Sequence, residues 1–372
     1  MTAPITPKIA VHFDGQIMTN WQSATITTDV DDLCATVELS ITQESPNNYF
    51  TADINSILKI YDASTLQPQS VQADSIINNW SLSKVETTDL ITTARIDQLN
   101  REITADSHKI KLTARSLARE LVDCQISKTI RGKKLAQIIA DLCQNFDIPF
   151  IEDAPSENVP EFSMQCESPA HQILQLIRSA NLYLVPTADG GIKLTTHTST
   201  PLSNQSLLIE RSRNCTCQLT YGIDFKSYLM QNNYQERFSD YLIKGNGSHN
   251  SFAIFQQGEN YQAAKGYFKD DLISYKRPLE VVADRSHSTG SCERRAELEY
   301  FRRKARAERI EVTLAGWRNS NGDLWSINTP VQAIIEPENF NRSMHVARCS
   351  LALDENGSTT TLSLTQPVKG RL

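Results

Sequence analysis

Apolar and polar side chains alternate most cleanly over residues 35–42. Ala35, Val37, Leu39 and Ile41 make one face there, and Thr36, Glu38, Ser40 and Thr42 the other. A period of two with one apolar face marks a half-buried antiparallel strand. Shorter stretches predict strands at residues 9–13, 24–27, 56–61, 72–80 and 90–99. Several short strands punctuated by turns predict a barrel or sandwich over residues 1–105. Asp29-Val30-Asp31-Asp32 lacks the glycine and glutamate of a calcium loop and reads as an acidic turn.

The period changes beyond residue 105. After a short strand at 108–113, Ser116 is placed to cap a helix carrying Leu117 and Leu121. Leu135, Ile138, Ile139, Leu142 and Phe146 fall on one helical face over residues 134–146. Residues 147–151 read as extended around Pro149. Ser168-Pro169 reads as an N-cap with proline at the first helical position, ahead of Ile173, Leu176, Ile177 and Ala180. Residues 182–185 and 192–195 form a hairpin around Asp189-Gly190-Gly191. Residues 106–206 are therefore expected to be a small α+β domain, ending in a polar connector at 203–206.

Strands return at 207–209, 217–220 and 241–243, and a long loop or inserted module is expected at 247–276. A strand opens at Arg277-Pro278-Leu279. A helix follows at 291–308, with Cys292, Ala296, Leu298, Phe301 and Ala305 as a narrow apolar stripe among charges. Ile310, Val312 and Leu314 then alternate with Glu311, Thr313 and Ala315. Asn319-Ser320-Asn321-Gly322 turns the chain, a return strand runs from Leu324-Trp325 to Ile335, and closing strands lie at 347–353 and 359–364. The fold class expected is β-rich α+β. Its divisions are a first β domain (1–105), the α+β domain (106–206), a discontinuous second β domain (207–246 and 309–372), and an inserted module with the charged helix (247–308). No repeat can be aligned between the two β regions.

At 372 residues the chain is too long for one ordinary core. Apolar content of 40% with 22% charged residues is that of a globular protein, and the net charge of −6 disfavours whole-chain nucleic-acid binding. No apolar run approaches a bilayer span, so no membrane anchoring is expected, and the first twenty residues lack the pattern of an export signal. Eight scattered cysteines are then expected to be reduced thiols, and Cys215-Thr216-Cys217 is too closely spaced for a zinc knuckle.

Candidate chemistry is sparse. The sequence holds no HExxH, GxSxG, Walker or GxGxxG motif, and its seven histidines are scattered. No catalytic, cofactor-binding or metal residue is assigned, and no enzyme is expected. Two alternatives carry named residues. Tyr261, Tyr267 and Phe268 with Glu259, Asp270 and Asp271 would serve a cell-wall hydrolase. Arg294, Arg295, Arg302, Arg303 and Arg306 would serve a nucleic-acid-binding helix, although Glu293, Glu297, Glu299 and Glu308 dilute its field.

The order of the motifs is more informative than any one of them. Gly15 with Trp21 is followed by Leu112-Thr113-Ala114-Arg115-Ser116, Leu121-Val122-Asp123-Cys124, Ile138–Cys143 with Phe146, and Asp189-Gly190-Gly191. Arg237-Phe238-Ser239, Tyr241-Leu242-Ile243-Lys244-Gly245, Arg277-Pro278-Leu279, Arg294-Arg295-Ala296, Gly316-Trp317, Gly322-Asp323-Leu324-Trp325 and Asn328 complete the series. Over most of its length the chain resembles the Mu-like contractile phage tail proteins of the P-type baseplate hub family, which are related to late control D proteins. Ala114 stands where the family pattern has glycine. The resemblance implies a homotrimeric structural hub in the virion tail baseplate, made in the bacterial host cytoplasm. Two barrel-like domains per chain would form a ring of pseudo-sixfold symmetry. The tail tube protein would meet one face and the central spike protein the other, and DNA would pass the lumen without specific binding.

Overall fold

The computed structural model describes residues 9–18, 21–43, 52–63, 90–104, 108–180, 182–196, 217–245, 264–283 and 289–366. The strands expected at 72–80 and 207–209 and the connector at 203–206 lie outside these residues. The first part of the chain supplies β1 (Ile9–Phe13), β2 (Gln16–Met18), β3 (Ser23–Asp29), β4 (Thr36–Gln43), β5 (Ile57–Asp62), β6 (Leu90–Ile103) and β7 (His108–Ser116). The alternation in β4 does what its pattern demands: Val37, Leu39 and Ile41 are buried, and Thr36 and Glu38 are exposed. Strand β7, expected to open the α+β domain, instead pairs with β4 and β6. Ser116 ends that strand and accepts the Ala35 amide on its Oγ at 3.2 Å, so it caps no helix.

A smaller unit follows: α1 (Arg119–Asp123), β8 (Ile126–Lys134), α2 (Leu135–Gln144), β9 (Phe150–Glu152), β10 (Asn158–Glu167), α3 (Pro169–Ala180), β11 (Tyr183–Pro186) and β12 (Ile192–Thr195). Leu135, Ile138, Ile139 and Leu142 are buried against Phe162, Ile173 and Leu194. The Ser168 hydroxyl accepts the His171 amide at 3.4 Å, as its capping position predicts. The Asp189-Gly190-Gly191 turn is fixed by space. A Cβ on Gly190 (φ +85°) would fall 2.6 Å from the Thr93 carbonyl oxygen, and one on Gly191 2.1 Å from that of Pro149. The turn therefore seats this unit directly on β6.

The remaining elements are β13 (Cys217–Thr220), β14 (Tyr228–Asn232), β15 (Asp240–Gly245), β16 (Lys265–Lys269), β17 (Pro278–Ala283), α4 (Thr289–Ala307), β18 (Glu308–Ala315), β19 (Pro330–Ile335), β20 (Phe340–Asp354) and β21 (Gly357–Thr365). Strand β15, expected in the second β domain, pairs with β16 and β17 in a separate three-stranded sheet. Its alternation identified a strand; only tertiary packing could assign the partners. Part of the expected loop at 247–276 is strand β16, whose Gly266 lets α4 approach.

Thirteen strands form one sheet, too many to remain flat. Residues from β1, β3, β4, β18, β20 and β21 share one apolar core. Within this sheet a strand order occurs twice. The early strands run β3-β4-β7-β6-β5-β1, and the late ones β14-β18-β21-β20-β19-β13. Ranked by chain position, the two are the same permutation. An irregularity falls at the matching point of both: Asp97 between Ile96 and Gln98 on β6, and Ala347 between Val346 and Arg348 on β20. The units differ at one edge, where β13 runs parallel to β19 but β1 antiparallel to β5. Strand β2 has no late counterpart among the described residues.

Gly266 offers a sharp test of the packing between α4 and β16. A Cβ there would lie 2.0 Å from the carbonyl carbon of Cys292, which is backbone and cannot rotate away. Gly266→Ala is expected to destabilise the three-stranded unit by about 1–3 kcal/mol through overpacking. Hydrogen exchange should quicken in 240–245 and 289–300 while the large sheet keeps its protection; unchanged exchange in both would contradict this packing.

Candidate functional site

Helix α4 packs on the small three-stranded sheet and sends charged side chains toward the other two units. Its apolar stripe buries Cys292 and Ala296 against Tyr241 and Ile243, with Tyr300 and Phe268 packed beside them. Tyr300 and Phe268 stack at 4.7 Å between ring centroids. The helix then passes without a loop into β18, so its C-terminus is held by the large sheet.

Beside that transition lies a buried ion pair. The Arg237 guanidinium donates to Asp270 at 2.7 Å and 3.3 Å, and the two side chains are 3% and 1% exposed. Arg237 also faces Glu308, the first residue of β18, at 3.6 Å. Glu308 in turn meets Arg342 of β20 at 3.9 Å and accepts from Gln366 at 2.5 Å. Two NH groups directed at two carboxylate oxygens provide the geometry that compensates such deep burial.

Most basic residues of α4 are committed to internal contacts. Arg295 pairs with Glu299 at 2.6 Å, and Glu299 also faces Arg303 at 3.5 Å. Arg303 lies over the Phe238 ring at 5.2 Å. Arg302 lies over Tyr183 of β11 at 5.5 Å, and Arg306 reaches Asp31, in the turn after β3, at 2.8 Å. The helix thus touches all three parts of the chain through its cations. Arg294 is exposed, but the interleaved carboxylates leave no continuous basic stripe of the kind that phosphate binding favours.

The candidate catalytic residues do not converge. Asp270 is held by Arg237, Asp271 is exposed, and Glu259 and Tyr261 lie outside the described residues. Hydroxyl hydrogen bonds from Ser239 and then Tyr267 lower the Asp240 carboxyl below its ordinary range. His12 is lowered by burial and by Lys59, while His345 is buried in β20 and His171 lies beside Gln175 on α3. No three potential metal ligands cluster among the described residues. Trp317 and Trp325 are core residues, and the Trp317 indole donates to the Ala352 carbonyl at 2.9 Å. Cys34, Cys143 and Cys349 are buried thiols, pushed up to about 11, 12 and 12 by burial. Cys215 lies outside the described residues.

Two pairings escaped sequence reasoning: Arg237 with Asp270, and Arg318 with buried Asp62 of β5 at 2.7 Å. Neither has a periodic signal, since the partners stand 33 and 256 positions apart. What the chain assembles is architecture: a doubled strand order braced by a charged helix.

That architecture is the phage tail hub fold. Residues 288–370 match the fourth domain of the Mu phage baseplate assembly protein GpP, and residues 118–196 match the second domain of gp44-like baseplate hub proteins. The baseplate hub protein gp44 of Escherichia phage Mu is 22% identical over 381 residues, covering 96% of this chain and 87% of gp44. Among solved structures, the 43 kDa tail protein of prophage MuSo2 from Shewanella oneidensis is similar with a TM-score of 0.75 at 19% identity, covering 96% of this chain and 98% of that one. The tail protein from Neisseria meningitidis MC58 gives 0.73 at 14% identity, covering 96% of each chain. The resemblance read from the motif order therefore holds: two stretches match Mu-like baseplate hub domains, and nearly the whole chain is similar to the Mu hub protein. Its β-rich α+β fold is theirs.

The buried pair makes a sharp prediction. Asp270→Asn leaves the Arg237 charge buried without its counter-ion and is expected to cost about 3–5 kcal/mol. The double variant Arg237→Met, Asp270→Leu should recover much of that loss in a denaturant titration. A double variant as unstable as the two single losses added together would contradict a coupled pair.

Proposed function

We propose that the chain is the structural baseplate hub of a contractile phage tail, a homotrimer that joins the tail tube to the central spike. The observation that carries this reading is the doubled strand order in one continuous sheet. Closed rings repeat identical contacts, so a trimer offers three equivalent surfaces. Three chains present six similar surfaces to a sixfold tube only if each chain carries two similar units. The first β unit would span residues 1–105 together with β7, and the second residues 207–232 and 309–366. The α+β unit between them and the insert up to α4 would sit outside the repeated strands. The 22% identity to the hub protein of phage Mu supports the same role.

The hub works by shape and needs no reaction. The hydrolase alternative loses Asp270 to its ion pair, and the nucleic-acid alternative loses most of its arginines to internal partners. DNA would pass the lumen without specific binding. No helix among the described residues is long and apolar enough to cross a membrane. The protein's place is then the virion baseplate, with the tube protein on one face of the ring and the spike protein on the other.

Sedimentation equilibrium at micromolar concentration is expected to give three chain masses at low and at moderate salt. A monomer under all conditions would remove the hub reading.

A further inference from the structure

The α+β unit does not close completely on the large sheet. A cavity of about 160 Å³ remains where the early strands, the late strands and the α+β unit come together. Its apolar wall includes Ile26 of β3, Ile91 of β6, Leu351 of β20, and Leu324 and Ile327 from the connection between β18 and β19. The turn between β11 and β12 adds Thr187 and Ala188. Gly190 holds that turn close to the sheet, since no Cβ would fit between it and the Thr93 carbonyl oxygen. Junctions of this kind, between separately packed units, are where small-molecule sites concentrate.

The size of the cavity is chemically meaningful. An engineered cavity of about 150 Å³, lined by leucine, isoleucine and phenylalanine, stays dry and admits benzene. Ala35 and Ala188 keep the present one open, because a larger side chain at either place would occupy it. No charged side chain lines it, so an ionised guest would lose its hydration without compensation.

One group on the wall lacks what the others have. The Thr28 hydroxyl donates to the Cys349 carbonyl at 3.4 Å, the Thr187 hydroxyl donates to Asp189, and the Ser326 and Thr329 hydroxyls share a hydrogen bond of 3.1 Å. The Cys349 thiol reaches the Trp325 carbonyl at 3.5 Å. Thr92 also lines the cavity and is 1% exposed, yet its hydroxyl has no hydrogen-bond partner. A buried hydroxyl left unpaired is costly. Rotation about χ1 exchanges it with the methyl group of the same residue, which lets it turn toward a guest.

We infer that this cavity is a binding site for a small uncharged molecule, of the size of one six-membered ring, carrying a single hydrogen-bonding group that pairs with the Thr92 hydroxyl. The guest touches β3, β6, β20 and the turn of the α+β unit together. A ligand that binds only this assembled arrangement stabilises it by mass action. Occupancy therefore fastens the α+β unit to the sheet where their own packing is incomplete.

The probes are phenol and benzene, titrated calorimetrically into the full chain. Both are expected to bind, phenol the more tightly. Thr92→Val exchanges the hydroxyl for a methyl group of similar size. It should weaken phenol about fivefold, the worth of one hydrogen bond, and leave benzene unchanged. Ala188→Phe alters an exposed turn residue, so the fold should survive while both probes are lost. Hydrogen exchange over 90–94 and 183–195 should slow in saturating phenol in the unsubstituted chain and not in Ala188→Phe. Failure of both probes to bind the unsubstituted chain overturns the site. Binding that survives Ala188→Phe undiminished places the probes elsewhere and overturns it equally. Phenol affinity unchanged in Thr92→Val overturns the role of that hydroxyl. None of these readouts depends on the oligomeric state, so the hub reading is tested separately.

Discussion

Strand β20 is the constraint on which the rest depends. Fifteen residues long, it bonds to β21 along one flank and to β19 and then β3 along the other. A strand that changes partner midway must pass from one packing surface to the next without losing its ladder. The irregularity at Ala347 stands at that change, adding twist between the two pairings. The junction buries Leu351, Leu353, Ala24 and Ile26 together, so both repeated units share one core. Arg318 of the late unit adds a charged link to buried Asp62 of the early one.

Helix α4 plays a complementary part. It is a rod with three kinds of attachment: an apolar stripe on the small sheet, cations reaching Tyr183 and Asp31, and direct covalent continuation into β18. A surface arginine pair contributes little alone. The buried Arg237–Asp270 pair stands beside the helix-to-strand transition and ties the small sheet to Glu308 at the start of β18.

Much of this was legible in local patterns. The alternation at Val37, Leu39 and Ile41 and the helical face of Leu135, Ile138, Ile139 and Leu142 translate directly into buried surfaces. Other elements left weak traces. In β8 only Ile130 is deeply buried, because the two-stranded ribbon with β10 exposes most of its side chains. Strand β15 was recognisable as a strand but not as a partner of β16, since alternation encodes a buried face and not a neighbour. Ser116 had the chemistry of a cap, yet the ladder with β4 claimed its backbone first. The doubled strand order was invisible in the residues themselves. Val37 and Ile310 occupy matching places, as do Leu112 and Leu362, and the exposed Glu38 and Glu311 match as well, but so short a stretch does not stand out from ordinary strand alternation. Repeated topology needs only matching buried faces, whereas the motif order that pointed to the hub fold also includes exposed residues such as Arg294 and Asp323.

The central claim is that two similar units in each of three chains build one ring. Electron microscopy of the purified oligomer, viewed along its axis, tests it most directly. The account predicts a closed ring of six similar lobes around an open lumen, reducing to threefold symmetry at higher detail. A ring of three lobes, or an open chain of subunits, would contradict it.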